Sequence, residues 1–186
     1  MVPFFIRMGA SNLKTSRPGI HFVRLILACI AQVGVYTSVV YLPLADATAL
    51  AFSRVLFTAV IAVIVLREIV SGRRWTATVA GFVGVVIMVR PGGQIDPIVF
   101  VAIGAACTFA VANVMIRMMS DTEPPNRILF YYQAGGIIVF LPPTIWMWQT
   151  PDGLVSWLMA LAIGVLTAVG MIGFIRGFAV GEASVI

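Results

Sequence analysis

The chain has 186 residues, of which 61% are hydrophobic and only 10% are charged, whereas about 25% of the residues in an ordinary soluble domain are charged. This composition excludes an ordinary soluble domain and is typical of an integral membrane protein. The formal net charge of +5 comes from basic residues that stand singly or in pairs between apolar runs, which indicates basic loops beside a membrane rather than a nucleic-acid partner.

Six apolar segments are predicted to form transmembrane helices, because crossing the ~30 Å hydrocarbon core takes about 20 apolar residues. They cover residues 21–42, 45–66, 75–89, 98–115, 128–147 and 154–175, of which the third is short. The connections between them are brief and leave no room for a soluble domain. The predicted fold class is therefore all-α, a polytopic transmembrane helix bundle. Pro142 and Pro143 free backbone groups near the outer end of the fifth span, where they are expected to end the helix; a gate within the membrane is the alternative.

The basic residues predict the orientation of these helices. Alternate loops and helix ends on one side of the membrane receive ten Lys or Arg residues, while the other side receives only Arg90. Cytoplasmic loops carry the excess of Lys and Arg, so the first side is predicted to face the cytoplasm. The ten residues are Arg7, Lys14, Arg17, Arg24, Arg67, Arg73, Arg74, Arg117, Arg127 and Arg176.

Arg54 belongs to neither side, because it lies about 13 Å into the second predicted span. An ionised residue near the midplane costs about 2.5–3.5 kcal/mol on insertion scales, so another interaction should offset this cost. Three explanations are open: an anionic part of a ligand, a carboxylate on a helix outside this sequence, or snorkelling toward the outer surface. Asp46 falls on the same predicted interior face but two turns away, too far for a direct ion pair.

Further polar side chains lie at membrane depth in the predicted spans. Gln32 and Tyr36 are four residues apart and share one face of the first helix. Either such residues form hydrogen bonds between helices or they line a substrate cavity. The candidates for substrate binding are Arg54, Gln32, Tyr36, Asn113 and Gln133.

The cysteines, the histidine and the remaining acidic residues indicate no metal or cofactor site. Cys29 and Cys107 lie in apolar runs without a Cys or His neighbour, and His21 is expected to anchor a helix at the membrane interface. Asp46 and Glu182 are expected to be solvated near membrane boundaries. Small residues, among them Gly81, Gly84 and Gly173, are expected where helices pack closely.

The two ends of the chain resemble each other at an offset of 136 positions. In this register Asp46 matches Glu182, and Val33-Gly34 matches Val169-Gly170. The orientation places the matching helices in opposite directions, as in transporters built from inverted repeats. The sequence is accordingly expected to be a fragment of a longer inverted-repeat protein.

Residues 42–92, LPLADATALAFSRVLFTAVIAVIVLREIVSGRRWTATVAGFVGVVIMVRPG, resemble the end of helix 3 and all of helices 4 and 5 in EamA-type permeases of the drug/metabolite transporter superfamily. The resemblance implies a ten-helix protein of two five-helix repeats. Residues 1–92 would be the C-terminal part of the first repeat, from the end of helix 2 to helix 5. Residues 93–186 would be the N-terminal part of the second, from helix 6 to the start of helix 9.

Details of the sequence both support this resemblance and depart from it. "GFVGVVIMVRPG" and "SRPGIHFVR" are similar to the subgroup that includes bacterial riboflavin and S-adenosylmethionine uptake proteins. Glu68 fits the Gly-Glu pair that ends helix 4 in the family. Val55, however, occupies the position of a family proline, and Arg67 that of the glycine.

The expected function is that of a secondary transporter, a permease that moves a small metabolite across the bacterial inner membrane by alternating access. A membrane-embedded enzyme and a channel or structural membrane subunit are the alternatives. An enzyme is not expected, because the sequence has no Gly-x-Ser-x-Gly or His-Glu-x-x-His motif. The expected partners are a small-molecule substrate and the lipid bilayer, with no nucleic acid and no cofactor; a homodimer remains open.

Overall fold

A computed structural model describes residues 15–67, 71–89 and 96–180. These ranges form six α-helices and contain no strand, which confirms all six predicted helices, with ends that differ from the prediction by at most five residues. The helices are α1 (Pro18–Tyr41), α2 (Leu44–Leu66), α3 (Gly72–Val89), α4 (Pro97–Ser120), α5 (Pro125–Trp146) and α6 (Gly153–Val180). All but α3 are long and apolar enough to cross a membrane, so the chain is a multi-pass membrane protein.

Local sequence signals set the beginnings of several helices. Proline stands in the first turn of α1, α4 and α5, where its missing N–H has no intrahelical partner to lose. The carboxylate of Asp96 caps α4 by accepting a hydrogen bond of 2.9 Å from the backbone N–H of Ile98. These signals explain where α1, α4 and α5 begin.

Arg67 ends α2 in the left-handed conformation, with φ of 54°. The family resemblance implies glycine at this position, and glycine is the residue that adopts positive φ without steric cost. The backbone at Arg67 therefore has a geometry suited to glycine, at the position where the resemblance implies glycine.

Pro142 and Pro143 do not end α5 as predicted, because the helix continues for three more residues to Trp146. A helical proline removes the hydrogen bond to the carbonyl one turn earlier, but later residues can still donate to the carbonyls of the prolines. The N–H of Met147 does so, at 3.0 Å from the carbonyl oxygen of Pro143. The prolines thus occupy the last turn of the helix.

Helix α4 forms the centre of the bundle and packs mainly against α1 and α2. Its buried surface consists largely of alanines, which allow close approach of the backbones. A Cβ built at Gly34 of α1 would lie only 2.7 Å from the Cβ of Ala105. The buried alanines of α4 are Ala102, Ala105, Ala106, Ala110 and Ala112.

The other helices surround this centre. Helix α3 packs on α2, where Gly81 faces Leu56 and the rings of Phe57 and Phe82 meet edge to face at 5.2 Å. Helix α5 packs on α1, and α6 contacts α4 and α5. The expected packing role is confirmed for Gly81. For Gly84 and Gly173 it is wrong within the described ranges, since a Cβ at either position would contact nothing within 4 Å.

An apolar cluster joins the ends of α2, α4 and α5 that are predicted to face the cytoplasm, here called the inner ends. Residues of α1 and α6 pack against it, including Ile20, Met171 and Phe174. The described part of the bundle is therefore tightly packed at its inner end. The cluster consists of Ala62, Val114, Ile116, Met119, Ile128 and Leu129.

Candidate substrate-binding cavities

Two adjoining cavities lie between the helices on the outer side of this apolar cluster. The outer cavity, of about 590 Å³, is bounded by α1, α5 and α6. The inner cavity, of about 280 Å³, also reaches α2 and α4. Ala28, Tyr132, Thr167 and Met171 line both, so the two cavities meet along these side chains.

The outer cavity contains three of the five candidate residues. Gln32 and Tyr36 come from adjacent turns of α1, and Gln133 comes from α5. The lining also contains Cys29, Thr144 and Thr167, and the rest of it is apolar or aromatic. None of the described residues that line the outer cavity is charged. This cavity can accommodate apolar surface and offer a few neutral hydrogen bonds.

The inner cavity contains the other two candidates, Arg54 of α2 and Asn113 of α4. Asn113 is buried, and Arg54 is half-buried. The guanidinium carbon of Arg54 lies 5.5 Å from the centroid of the Phe109 ring, within the range of a cation–π interaction. The structure thus places all five candidates around the two cavities.

Arg24 is a cavity residue that the sequence analysis missed. It was assigned to the basic residues of the cytoplasmic side, but it is buried in α1, about 9 Å along the helix from Pro18. Its guanidinium carbon lies 4.8 Å from the centroid of the Tyr132 ring. Spacing could have revealed it, because Arg24, Ala28 and Gln32 follow one another at four-residue intervals on one helix face.

Asp46 does not belong to the interior face of α2 on which the sequence placed it. Its side chain is exposed in the first turn of the helix. The buried face instead includes Ala47, Leu50 and Ser53, because small and apolar side chains pack against α4 where a carboxylate would lose its hydration. Glu68 and Glu182 lie outside the described residues.

A polar cluster lies at the inner end, beyond the apolar one. The carboxylate of Glu123, in the connection between α4 and α5, is 2.9 Å from the guanidinium of Arg127. It also accepts hydrogen bonds from the Thr15 hydroxyl and the Ser16 N–H, just before α1. Burial alone would raise the pKa of Glu123, but these hydrogen bonds and the charge of Arg127 lower it below its ordinary value.

His21 adjoins this polar cluster and is buried, so its expected role as an interfacial anchor is wrong. Its Nε2 lies 3.9 Å from the carboxylate of Glu123, and its ring centroid lies 4.6 Å from that of Tyr131. The reason is that Glu123 and Tyr131 fold over the start of α1, which no local sequence signal indicates. Within the described ranges, no group of three or more His, Cys, Asp or Glu residues could hold a metal ion.

Comparison with known proteins identifies relatives of the chain. The S-adenosylmethionine uptake transporter of Rickettsia prowazekii is 32% identical over 153 residues, which cover 82% of this chain and 52% of the relative. The riboflavin transporter of Vibrio cholerae is 28% identical over 191 residues, 99% of this chain and 63% of the relative. The pseudopaline exporter CntI of Pseudomonas aeruginosa is 26% identical over 189 residues, 98% of this chain and 66% of the relative.

The chain therefore spans between about half and two thirds of the length of these curated relatives. No family model matches, and no solved structure matches. The relatives agree with the resemblance seen in the sequence, including its subgroup of riboflavin and S-adenosylmethionine uptake proteins. The chain is a homologue of these bacterial transporters, and their names are consistent with the drug/metabolite transporter type that its sequence resembles.

Proposed function

We propose that this chain acts in a secondary transporter that moves a small polar metabolite across the bacterial inner membrane by alternating access. The main observation behind the proposal is that polar residues from four different helices line two adjoining cavities inside an apolar bundle. The outer cavity, at about 590 Å³, has the size of a small-molecule site. The names of the relatives, two for uptake or transport and one for export, support the same class of function.

The five candidate residues receive specific roles in this proposal. Gln32, Tyr36 and Gln133 orient neutral polar groups of the substrate in the outer cavity. Asn113 and Arg54 bind a second part of the substrate in the inner cavity. Because these side chains lie in an apolar environment, a substrate group that pairs with them is strongly preferred over one that leaves them without a partner.

The packing of the bundle supports alternating access. The apolar cluster and the Glu123 contacts join the helices at the inner end, whereas the outer cavity extends to Tyr36 and Thr144 near the outer ends of α1 and α5. This arrangement corresponds to a state closed toward the cytoplasm. Release on the inner side requires α5 or α6 to move away from α1 and α4.

We also propose that residues 1–92 and 93–186 belong to two inverted repeats. Shifting α1, residues 18–41, by the 136-residue offset gives residues 154–177, which fall within α6, Gly153–Val180. In the predicted topology these two helices cross the membrane in opposite directions. The matching helix bounds add a structural argument to the similarity between the two ends of the sequence.

A catalytic role is not part of the proposal. Cys29 is the strongest nucleophile among the described residues that line the cavities, and no histidine or carboxylate lines them with it. The cavities thus offer binding groups without a base to activate a nucleophile.

The test is transport by the protein as its gene encodes it, purified and reconstituted into liposomes. Radiolabelled S-adenosylmethionine and riboflavin are suitable first probes, because relatives carry these names. We expect saturable uptake of a probe that is accelerated by the same unlabelled compound inside the vesicles. Uptake that rises linearly with concentration and shows no counterflow would contradict a carrier and indicate a channel.

Matched variants connect transport to the cavity. Gln133→Leu should raise the half-saturation concentration about tenfold, because one hydrogen bond to the substrate is lost in an apolar site. Gln149→Leu is the control, since Gln149 is exposed after α5 and lines neither cavity. Equal uptake kinetics of the two variants would remove Gln133 from the binding site.

A further inference from the structure

The inner cavity has an unbalanced charge. Arg24 and Arg54 both line it, and the other described lining residues include no acidic side chain. Both arginines lie within transmembrane helices, Arg24 in α1 and Arg54 in α2. Two cations at membrane depth are costly unless an anion or a set of hydrogen-bond acceptors accompanies them.

The aromatic neighbours offset only part of this cost. Tyr132 lies beside Arg24 at 4.8 Å and Phe109 beside Arg54 at 5.5 Å, measured from the guanidinium carbon to the ring centroid. An aromatic face attracts the positive charge but leaves the N–H donors in the guanidinium plane without oxygen acceptors. The Nε of Arg24, whose residue is only 3% exposed, has no hydrogen-bond partner among the described residues.

Neutral donors complete the arrangement. The buried amide of Asn113 and the phenol of Tyr132 line the same cavity, and each can donate a hydrogen bond to an oxyanion. Planar guanidinium groups match the geometry of carboxylate and phosphate oxygens. The cavity thus combines two cations, two neutral donors and a free volume of about 280 Å³.

We propose that the inner cavity binds the anionic group, a carboxylate or a phosphate, of the transported metabolite, with Arg24 and Arg54 as its charge partners. This inference rests on the proposed transport function and specifies its substrate class. The outer cavity, with no charged residue in its described lining, receives the neutral body of the same molecule past Ala28 and Thr167. The substrate is therefore a small metabolite with one anionic end and a larger neutral part.

The test measures whether the site binds an oxyanion at all, and inorganic phosphate is the probe. The protein as its gene encodes it is placed in nanodiscs of phosphatidylcholine only, and its thermal unfolding midpoint is followed against phosphate concentration, with chloride added to hold the ionic strength constant. At ten times the dissociation constant the midpoint should rise by about 3–5 °C.

Variants of the two arginines test whether phosphate binds in the inner cavity. Arg24→Gln and Arg54→Gln should each weaken phosphate binding at least about tenfold, because one of two charge partners is gone, whereas Arg54→Lys should weaken it less. Arg67→Gln should bind phosphate like the wild type, because Arg67 is exposed at the end of α2. A wild-type protein whose unfolding midpoint does not respond to phosphate would overturn the proposal.

Two other results would also overturn it. If a carboxylate of this protein, such as Glu68 or Glu182, already occupies the cavity, phosphate will have no effect and Arg24→Gln will lower the midpoint by stranding that charge. If an anionic lipid headgroup is the occupant, phosphatidylglycerol in the nanodisc will abolish the phosphate effect.

Transport is tested separately. Saturable uptake without phosphate binding refutes the anion site alone, and phosphate binding without uptake of any metabolite refutes the transport function alone.

Discussion

Helices α4 and α6 show how differently two equally apolar helices can be placed. Their most apolar windows have the same mean hydropathy, yet 39% of the residues in the window of α4 are buried and none in that of α6. Helix α4 packs along much of its length against α1 and α2, whereas α6 meets the apolar cluster only near its inner end, through Met171, Ile172 and Phe174. Apolarity determines that a helix enters the membrane, while side-chain complementarity determines its neighbours.

The largest expected difference concerns truncation of one isoleucine in each helix. Ile116 of α4 is fully buried, and Ile163 of α6 is 65% exposed. Ile116→Ala should destabilise the protein by about 2–5 kcal/mol, because it leaves a cavity among packed side chains. Ile163→Ala should cost less than about 0.5 kcal/mol, because lipid or detergent fills the space. Reversible unfolding in mixed micelles measures both variants.

The stabilities of the two isoleucine variants can also contradict the inferred difference in packing between α4 and α6. An equally large loss of stability in Ile163→Ala would mean that α6 is packed in the complete protein as tightly as α4. Helix α6 would then owe its exposure here to a partner outside the described ranges. A loss in Ile116→Ala alone would establish α4 as the packing centre.

The contrast between the helices also marks how far the sequence could predict the fold. Apolarity predicted all six helices, and five of them also have the length that the bilayer imposes on a span. The central position of α4 was not predictable from small residues, since α6 contains Gly164, Gly170 and Gly173, and at none of them would a Cβ meet another described residue within 4 Å. A small residue permits another helix to approach closely, but this approach occurs only where the surface of the other helix is complementary.

A second, smaller difference is expected for glycine. A methyl group at Gly34 of α1 would lie 2.7 Å from the Cβ of Ala105, so Gly34→Ala must push the backbones of α1 and α4 apart. This change should cost about 1–3 kcal/mol by overpacking. Gly164→Ala in α6 is the matched control and should be neutral or slightly stabilising, because alanine favours the helix and no neighbour is disturbed. Destabilisation by both changes to the same extent would refute close packing as the cause.

The candidate site was predictable in part for a similar reason. Polar residues at membrane depth are rare enough to be identified individually, and Arg54, Gln32, Tyr36, Asn113 and Gln133 all line the cavities. Arg24 was missed because it lies near a helix end, where an arginine is ordinarily explained by the cytoplasmic side. The burial of Arg24 and its contact with Tyr132 on a neighbouring helix show that it faces inward, as its four-residue spacing from Ala28 and Gln32 could have indicated.

The smallest expected effect concerns the polar contacts at the inner end of α4 rather than its apolar packing. Glu123 follows α4 by three residues and binds Thr15, Ser16 and Arg127, so it anchors this helix to the start of α1 and α5. Since its folded-state pKa lies below its ordinary value of 4.5, the stabilisation is complete above about pH 4.5 and is lost as the pH falls through the folded value.

Glu123→Gln should therefore be less stable than the wild type by about 1 kcal/mol at pH 7, and this difference should shrink as the pH falls below 4.5 and through the folded-state pKa. Glutamine keeps the size of the side chain and an acceptor oxygen but cannot form the ion pair with Arg127. Asp121→Asn is the control, because Asp121 is exposed two residues away and should show the pH dependence of the wild type. A wild-type advantage that stays constant from pH 7 to the acid limit of folding would show that Glu123 acts through its shape and hydrogen bonds rather than through its charge.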